Sequence, residues 1–276
     1  MSADKPQTYI HGTHTEEQQR LSRMNNVINA GSLRELALGG GEKILDVGSG
    51  LGQFTRVMAR AAGPSGKVIG IENNSAQFEQ ALRLAEEAEE RDLVEFRQGD
   101  AYAIPLQDHE WGSFDVAHTR FLLEHLNRPL EVVQSMVKAV KPGGRIVLED
   151  DDHDVIRLWP EPPGFWQIWT AYMRSYDYIG NDPYIGRRLV SLLHQAGALP
   201  KRNTWIFFGS CAGNPTFDLL VENKLEILRG AREMILTVGK VEESTFNKAL
   251  DEMQIWRKRP DAATWFSICW AEGVKP

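Results

Sequence analysis

A chain of 276 residues, 42% of them hydrophobic, can bury the core of one large domain, and a net charge of −7 argues against a large nucleic-acid footprint, because phosphate binding leaves a basic patch. Two cysteines, Cys211 and Cys269, are too few for a disulfide framework and read as buried free thiols. The first residues carry no apolar signal core, and no apolar run approaches the roughly 18 residues that would span a bilayer, so a cytoplasmic protein without membrane insertion is expected.

In chain order, residues 1–15 are polar, and Thr15 is placed to cap a helix running to about Asn29. A second short helix from Ser32 to Leu38 stops at Gly39-Gly40-Gly41. A regular alternation follows: strand 43–47, helix 53–62, a GPSG turn, strand 67–71, helix 75–90, strand 94–98, strand 114–118, helix 129–140, a KPGG turn at 141–144 and strand 145–149. Strands interleaved with helices imply βαβ units, hence an α/β, doubly wound, mostly parallel sheet that binds ligands at the carboxyl ends of its strands. Beyond Glu149 come an acidic run, a Pro- and Trp-rich stretch, a helix at 185–196, a strand at 203–210, helices at 216–236 and 242–258, and a last strand at 263–274. The expected organisation is a single domain: an N-terminal helical lid at 1–42, a ligand-binding core at 43–150, and cap insertions at 151–184 and 211–262.

The stretch KILDVGSGLGQ, Lys43 to Gln53, is a strand, a glycine turn and a helix start. Glycines there let the backbone approach a ligand, and the helix behind offers unpaired N–H groups. Its spacing is G-x-G-x-G through Gly48, Gly50 and Gly52, with Asp46 two residues ahead. The dinucleotide fingerprint is G-x-G-x-x-G, and a pyrophosphate disfavours a nearby carboxylate; Asp46 suits a cationic amino-acid end instead. Glu72 closes the second strand, where an acid can accept both ribose hydroxyls, and Asp100 ends the third, where one can accept from an adenine amine. The three acids together describe an adenosine with a charged amino-acid tail and no phosphate.

With these residues the chain resembles the class I S-adenosylmethionine-dependent methyltransferases over roughly residues 43–150. The resemblance is carried by LDVGSGLG at 45–52, GIE at 70–72, GDA at 99–101, FDVAHTRFLLEHL at 114–126 and KPGGRIVLED at 141–150, and is closest to the branch of ubiquinone and menaquinone C-methyltransferases. It implies S-adenosyl-L-methionine as cofactor and a seven-stranded Rossmann-like sheet whose last strand runs antiparallel beside the fifth. It also implies Gly48, Ser49 and Gly50 under the methionine end, Glu72 on the ribose, Asp100 and Ala101 at the adenine, and Thr119 or Arg120 near the methionine amino group; Gln53 and Asn73 join this cofactor set. YIHGT at 9–13 resembles a segment that closes over the cofactor in some of these enzymes, which brings in Tyr9 and Gly12. The long insertion at 211–262 departs from the family pattern.

Methyl transfer from a sulfonium asks the protein to align the nucleophile and exclude water, with no metal required, and a hydroxyl or amine acceptor needs a base within reach. Arg120, His125 and Asp151 are the catalytic candidates. Arg120 suits a carboxylate but could equally pair with Glu124, and His125 could be a packed helix residue. The run Glu149 to Asp154 crowds carboxylates whose pKa values would rise, or which would attract an amine. Trp159, Phe165, Trp166, Trp169, Tyr172, Tyr176 and Tyr178 could line an acceptor pocket or pack the cap. The function expected is methyl transfer to a small organic acceptor at O, N or C. A binder without transfer, or a protein or RNA methyltransferase, stays open as an alternative, the acidic balance opposing the latter.

Overall fold

The computed structural model describes residues 28–276; Tyr9, Gly12 and most of the expected first helix lie outside the described residues. The described chain falls into two compact units. The first comprises 28–154, Pro183–Phe207 and Ser267–Pro276, and the second Val155–Asp182 and Phe208–Phe266.

The first unit starts with helix α1 (28–36), which runs through the expected break between Asn29 and Ser32. Next come β1 (Lys43–Val47), α2 (Gln53–Ala62), β2 (Lys67–Glu72), α3 (Ser75–Glu87) and β3 (Val94–Gln98). They are followed by β4 (Phe114–Arg120), α4 (Pro129–Ala139) and β5 (Val140–Asp151). β1 pairs in parallel with β2 and with β4, β2 with β3, and β4 with β5, while β8 (Ala263–Val274) runs antiparallel to β5 from Arg145↔Val274 to Asp151↔Ile268. The strand order is β3-β2-β1-β4-β5-β8, so the chain reverses direction between β1 and β4 and opens a crevice at their carboxyl ends. Leu45, Val47, Ile69 and Ile71 are buried in that sheet, each contributing about 1.5–3 kcal/mol, and Asn74 caps α3 by accepting from the Gln77 N–H at 3.0 Å.

Boundaries differ where tertiary pairing extends an element. The KPGG segment is absorbed into β5, because the N–H of Gly143 donates to the Lys275 carbonyl and the N–H of Lys275 to that of Gly144. The helix expected at 185–196 begins as a 3₁₀ turn (Ile185–Arg188) and becomes α-helical only in α6 (Leu189–Gln195), ahead of β7 (Leu199–Cys211), which pairs with β8.

The second unit is mainly helical; besides the end of β7 and the start of β8 it holds a three-residue strand, β6 (Arg157–Trp159), that pairs antiparallel with Ala263–Trp265 of β8 and had no signature in the sequence. Its helix α5 (Phe165–Ile179) carries the aromatic segment. α7 (Pro215–Gly230) and α8 (Arg232–Thr237) replace the single helix expected at 216–236, and α9 (Glu243–Trp256) completes the unit. Phe165 stacks on Trp169 at 5.4 Å, and the Tyr172 and Tyr176 hydroxyls share a 2.7 Å hydrogen bond. All four are buried, so these aromatics form the unit's core, while Trp159 and Tyr178 are exposed. Both cysteines are free; Cys269 is buried as expected and Cys211 is exposed.

Candidate active site

The loop between β1 and α2 is held from beneath by β2. The N–H groups of Gly48 and Ser49 both donate to the Ile71 carbonyl at 2.9 Å, and the N–H of Gly50 donates to Glu72 Oε2 at 2.9 Å. Glu72 Oε1 accepts from the Asn74 N–H at 2.8 Å, so one carboxylate ties the glycine loop to the start of α3. Burial pushes the Glu72 carboxyl up from its ordinary value, against the backbone N–H bonds of Asn74 and Gly50 that favour the anion. Gly52 has φ 67°, and a Cβ there would lie 2.3 Å from the Phe96 ring; at Gly48, φ 78°, it would meet Leu122 at 3.0 Å. Both positions need glycine for conformation and for space. The Ser49 hydroxyl is buried without a hydrogen-bond partner. Asp100 is exposed and accepts the Tyr102 N–H at 2.9 Å, Ala101 is buried, Asn73 is exposed beside Glu72, and Gln53 is the first residue of α2.

Below the loop lies a buried polar column. His118, paired in register with Asp46, binds Asp46 Oδ1 through Nδ1 at 2.8 Å and Glu149 Oε1 through Nε2 at 2.9 Å. Thr55 donates to Asp46 Oδ2 at 2.6 Å, and Ser32 donates to Glu149 Oε2 at 2.6 Å. Burial alone would lower the His118 pKa, but hydrogen bonds to Asp46 and Glu149 and their charges carry it up to about 9. The imidazole is therefore cationic at neutral pH and neutralises part of two buried carboxylates.

Three expectations change here. The Asp46 carboxylate is directed to Thr55 and His118, a positioning arrangement under the loop, where the sequence suggested a contact with an amino group. Thr119 is fully buried and donates to the Val47 carbonyl at 2.8 Å, latching β4 to β1 as its place in the strand requires. Arg120 lies over the Phe54 ring at 4.3 Å and donates to Ser32 Oγ at 3.2 Å and Asn29 Oδ1 at 3.0 Å, fastening α1 to β4. His118 itself was missed; the signal available was a polar residue facing Asp46 inside an otherwise apolar strand, FDVAHTR.

A family model described as a methyltransferase domain matches residues 38–179, just over half of the chain, and spans the loop, Glu72, Asp100 and the buried column except Ser32. The chain belongs to the class I S-adenosylmethionine-dependent methyltransferases. It is 33% identical over 162 residues to the demethylmenaquinone methyltransferase of Lactococcus lactis, an alignment covering 58% of either protein. The chain spans about half the length of the curated relatives it matches first, 43% of one and 58% of the Lactococcus enzyme. A Bacillus halodurans protein classed as a methyltransferase has the same fold, with TM-score 0.59 at 18% identity over 90% of this chain and 98% of that one. So does geranyl diphosphate C-methyltransferase from Streptomyces coelicolor, solved with Mg2+, geranyl diphosphate and S-adenosyl-L-homocysteine, with TM-score 0.55 at 12% identity over 99% and 86%. S-Adenosylmethionine is the cofactor of this family, and the glycine loop fits it: the unpartnered Ser49 hydroxyl and the carboxylate of Glu72 at the next strand end are the polar groups such a ligand needs. Among the described residues no helix is long and apolar enough to cross a membrane.

The chain gathers a second group at the ends of β4 and β5. A 3₁₀ turn, Leu123–His125, follows β4 and is pinned by the Leu123 N–H donating to Asp150 Oδ2 at 2.8 Å. Glu124 Oε2 lies 2.8 Å from His153 Nε2, and Glu124 Oε1 lies 3.5 Å from His125 Nε2. Burial lowers the pKa of His125; for His153 the same burial is outweighed by Glu124, and its pKa rises. Burial raises the Asp151 carboxyl to about 7, partly offset by the charge of His153. Of the three catalytic candidates, Asp151 joins Glu124 and His153, His125 sits beside Glu124, and Arg120 serves the buried column. His153 was only a member of the acidic run in the sequence; its link to Glu124 comes from the sheet order that brings β4 and β5 together.

Proposed function

We propose that this chain transfers a methyl group from S-adenosylmethionine to a small organic acceptor at an O, N or C nucleophile, in the cytoplasm and without nucleic acid. Bound, the cofactor supplies an electrophilic methyl group on a sulfonium. Ser49 and the backbone around Gly48 and Gly50 would hold its amino-acid end, Glu72 its ribose, and Asp100 with Asn73 its adenine. Asp46 and His118 would act one layer below, fixing the loop. Glu124, Asp151 and His153 would meet the polar end of the acceptor, and the chain is taken as one methyltransferase domain. The single observation behind this reading is the glycine loop that carries an unpartnered buried hydroxyl at Ser49 and is bridged by Glu72. The names of the Lactococcus and Streptomyces relatives favour a carbon skeleton as acceptor. Calorimetric titration with S-adenosylmethionine, S-adenosylhomocysteine and NAD tests the cofactor. Binding of the first two and not NAD is expected, and Glu72→Ala is expected to weaken it ten- to a hundredfold, the loss of charged hydrogen bonds worth about 1.5–3 kcal/mol. NAD binding alone would sink the reading. Labelled methyl transfer into a metabolite extract tests turnover.

A further inference from the structure

The acidic run at the end of β5 contains one carboxylate that the fold leaves over. Glu149 is committed to His118 and Ser32, Asp150 accepts the N–H groups of Leu123 and Asp151, and Asp152 accepts two bonds from Arg187 at 2.6 and 2.7 Å. Asp151 differs: its Oδ1 is buried and has no hydrogen-bond partner. A carboxyl oxygen kept from water without a hydrogen-bond partner calls for a proton or a positive ligand.

Glu124 and His153 stand beside it. One ligand atom from each of Glu124, Asp151 and His153 lies within 4.8 Å of the others, so holding a common ion at about 2.1 Å would draw the three side chains inward. Both neighbours are held by backbone: His153 donates its N–H to the Pro183 carbonyl at 3.0 Å, and Glu124 sits in the turn anchored on Asp150. We propose that Glu124, Asp151 and His153 bind a first-row divalent cation, and that this cation receives an oxygen of the methyl acceptor.

Two carboxylates and one imidazole are a mixed hard and borderline set, suited to Mn2+ or Zn2+ rather than to Ca2+ or a thiolate-seeking metal. Three protein ligands leave coordination positions open, as in sites where a metal presents a reactant rather than braces a fold. The turn that carries Glu124 begins beside Leu122, and a Cβ at Gly48 would meet Leu122 at 3.0 Å, so the cluster adjoins the glycine loop. The acceptor role rests on the methyl-transfer reading above; the cation site does not. It departs from the sequence reading, which required no metal.

The test uses the full chain freed of metal with a chelator. Calorimetric titration with Zn2+ is expected to give one site per chain, weakened at least tenfold by Asp151→Asn and by His153→Gln, while S-adenosylhomocysteine affinity in the same samples stays within twofold. Pulsed EPR of Mn2+ on the unmodified protein is expected to show coupling to one imidazole nitrogen, lost in His153→Gln. Absence of a saturable 1:1 Zn2+ site, equal Zn2+ affinity in both variants, or Mn2+ bound without nitrogen coupling would each overturn the proposal. A protein that binds Zn2+ through these residues but not S-adenosylhomocysteine upholds the cation site and defeats the methyl-transfer reading instead.

Discussion

His118 is where the buried column can be measured. Its folded pKa of about 9 against an ordinary 6.5 corresponds, at about 1.4 kcal/mol per unit, to about 3 kcal/mol. Because the folded value is raised, that stabilisation is complete below pH 6.5 and is lost as pH rises through about 9. Replacing the residue by glutamine keeps one donor and removes the charge, leaving Asp46 and Glu149 with no cation between them. Urea denaturation of both proteins at intervals from pH 7 to 9.5 gives the difference in stability at each pH, in which titrating groups remote from the column cancel. His118→Gln is expected to be destabilised by several kcal/mol at pH 7, in the range of a broken buried ion pair, and the gap is expected to narrow by about 2 kcal/mol by pH 9.5. A constant gap across this range would show that His118 is neutral in the folded protein, and the ionic account of the column would fail.

Gly52→Ala combines a left-handed φ of 67° with a Cβ 2.3 Å from Phe96, and is expected to cost about 2–4 kcal/mol and lower Tm by at least about 5 °C; a change below 2 °C in a thermal melt would contradict the packing described for the loop. Lys224 is buried in α7 with the Leu220 carbonyl as acceptor at 3.0 Å, and burial lowers its pKa to about 7. Its folded pKa is depressed, so the penalty is absent above pH 10.5 and grows as pH falls toward 7. Lys224→Met is therefore expected to stabilise the chain by a few kcal/mol at pH 7, with the gain fading toward pH 10; destabilisation at pH 7 would mean that the amine has a specific partner.

The parallel sheet was legible because its strands are short apolar runs closed by turn residues, and because a buried parallel strand leaves little room for another pattern. β1, α2, β3 and β8 fall at the residues the periodicity marks. α5 was hidden, since its aromatics lie on exposed as well as buried positions and obscure the spacing of a buried face. The 3₁₀ turn at Ile185–Arg188 and the break at Ala231 each had a local sign, Gly186 and Gly230, that a continuous helical spacing on either side outweighs.

The two halves of the site differ for the same reason. Gly48, Gly50, Gly52 and Glu72 act through backbone conformation and strand position, which are local properties and can be read along the chain. The run from Glu149 to Asp152 is uniform in sequence and heterogeneous in space. Successive residues of a strand point to opposite faces, and each face meets a different neighbour: His118 on β4 for Glu149, the Leu123 N–H for Asp150, Arg187 for Asp152. Four adjacent acids thus enter four electrostatic environments, and only subtraction of the partnered ones isolates Asp151. Its distinction is set by residues 27 to 36 positions away in the chain, Glu124 and Arg187, which the sheet order brings to the end of β5. A crowd of like charges is tolerable at a strand end because the fold hands out cations and N–H donors one by one, and the carboxylate left without one marks where an exogenous cation fits.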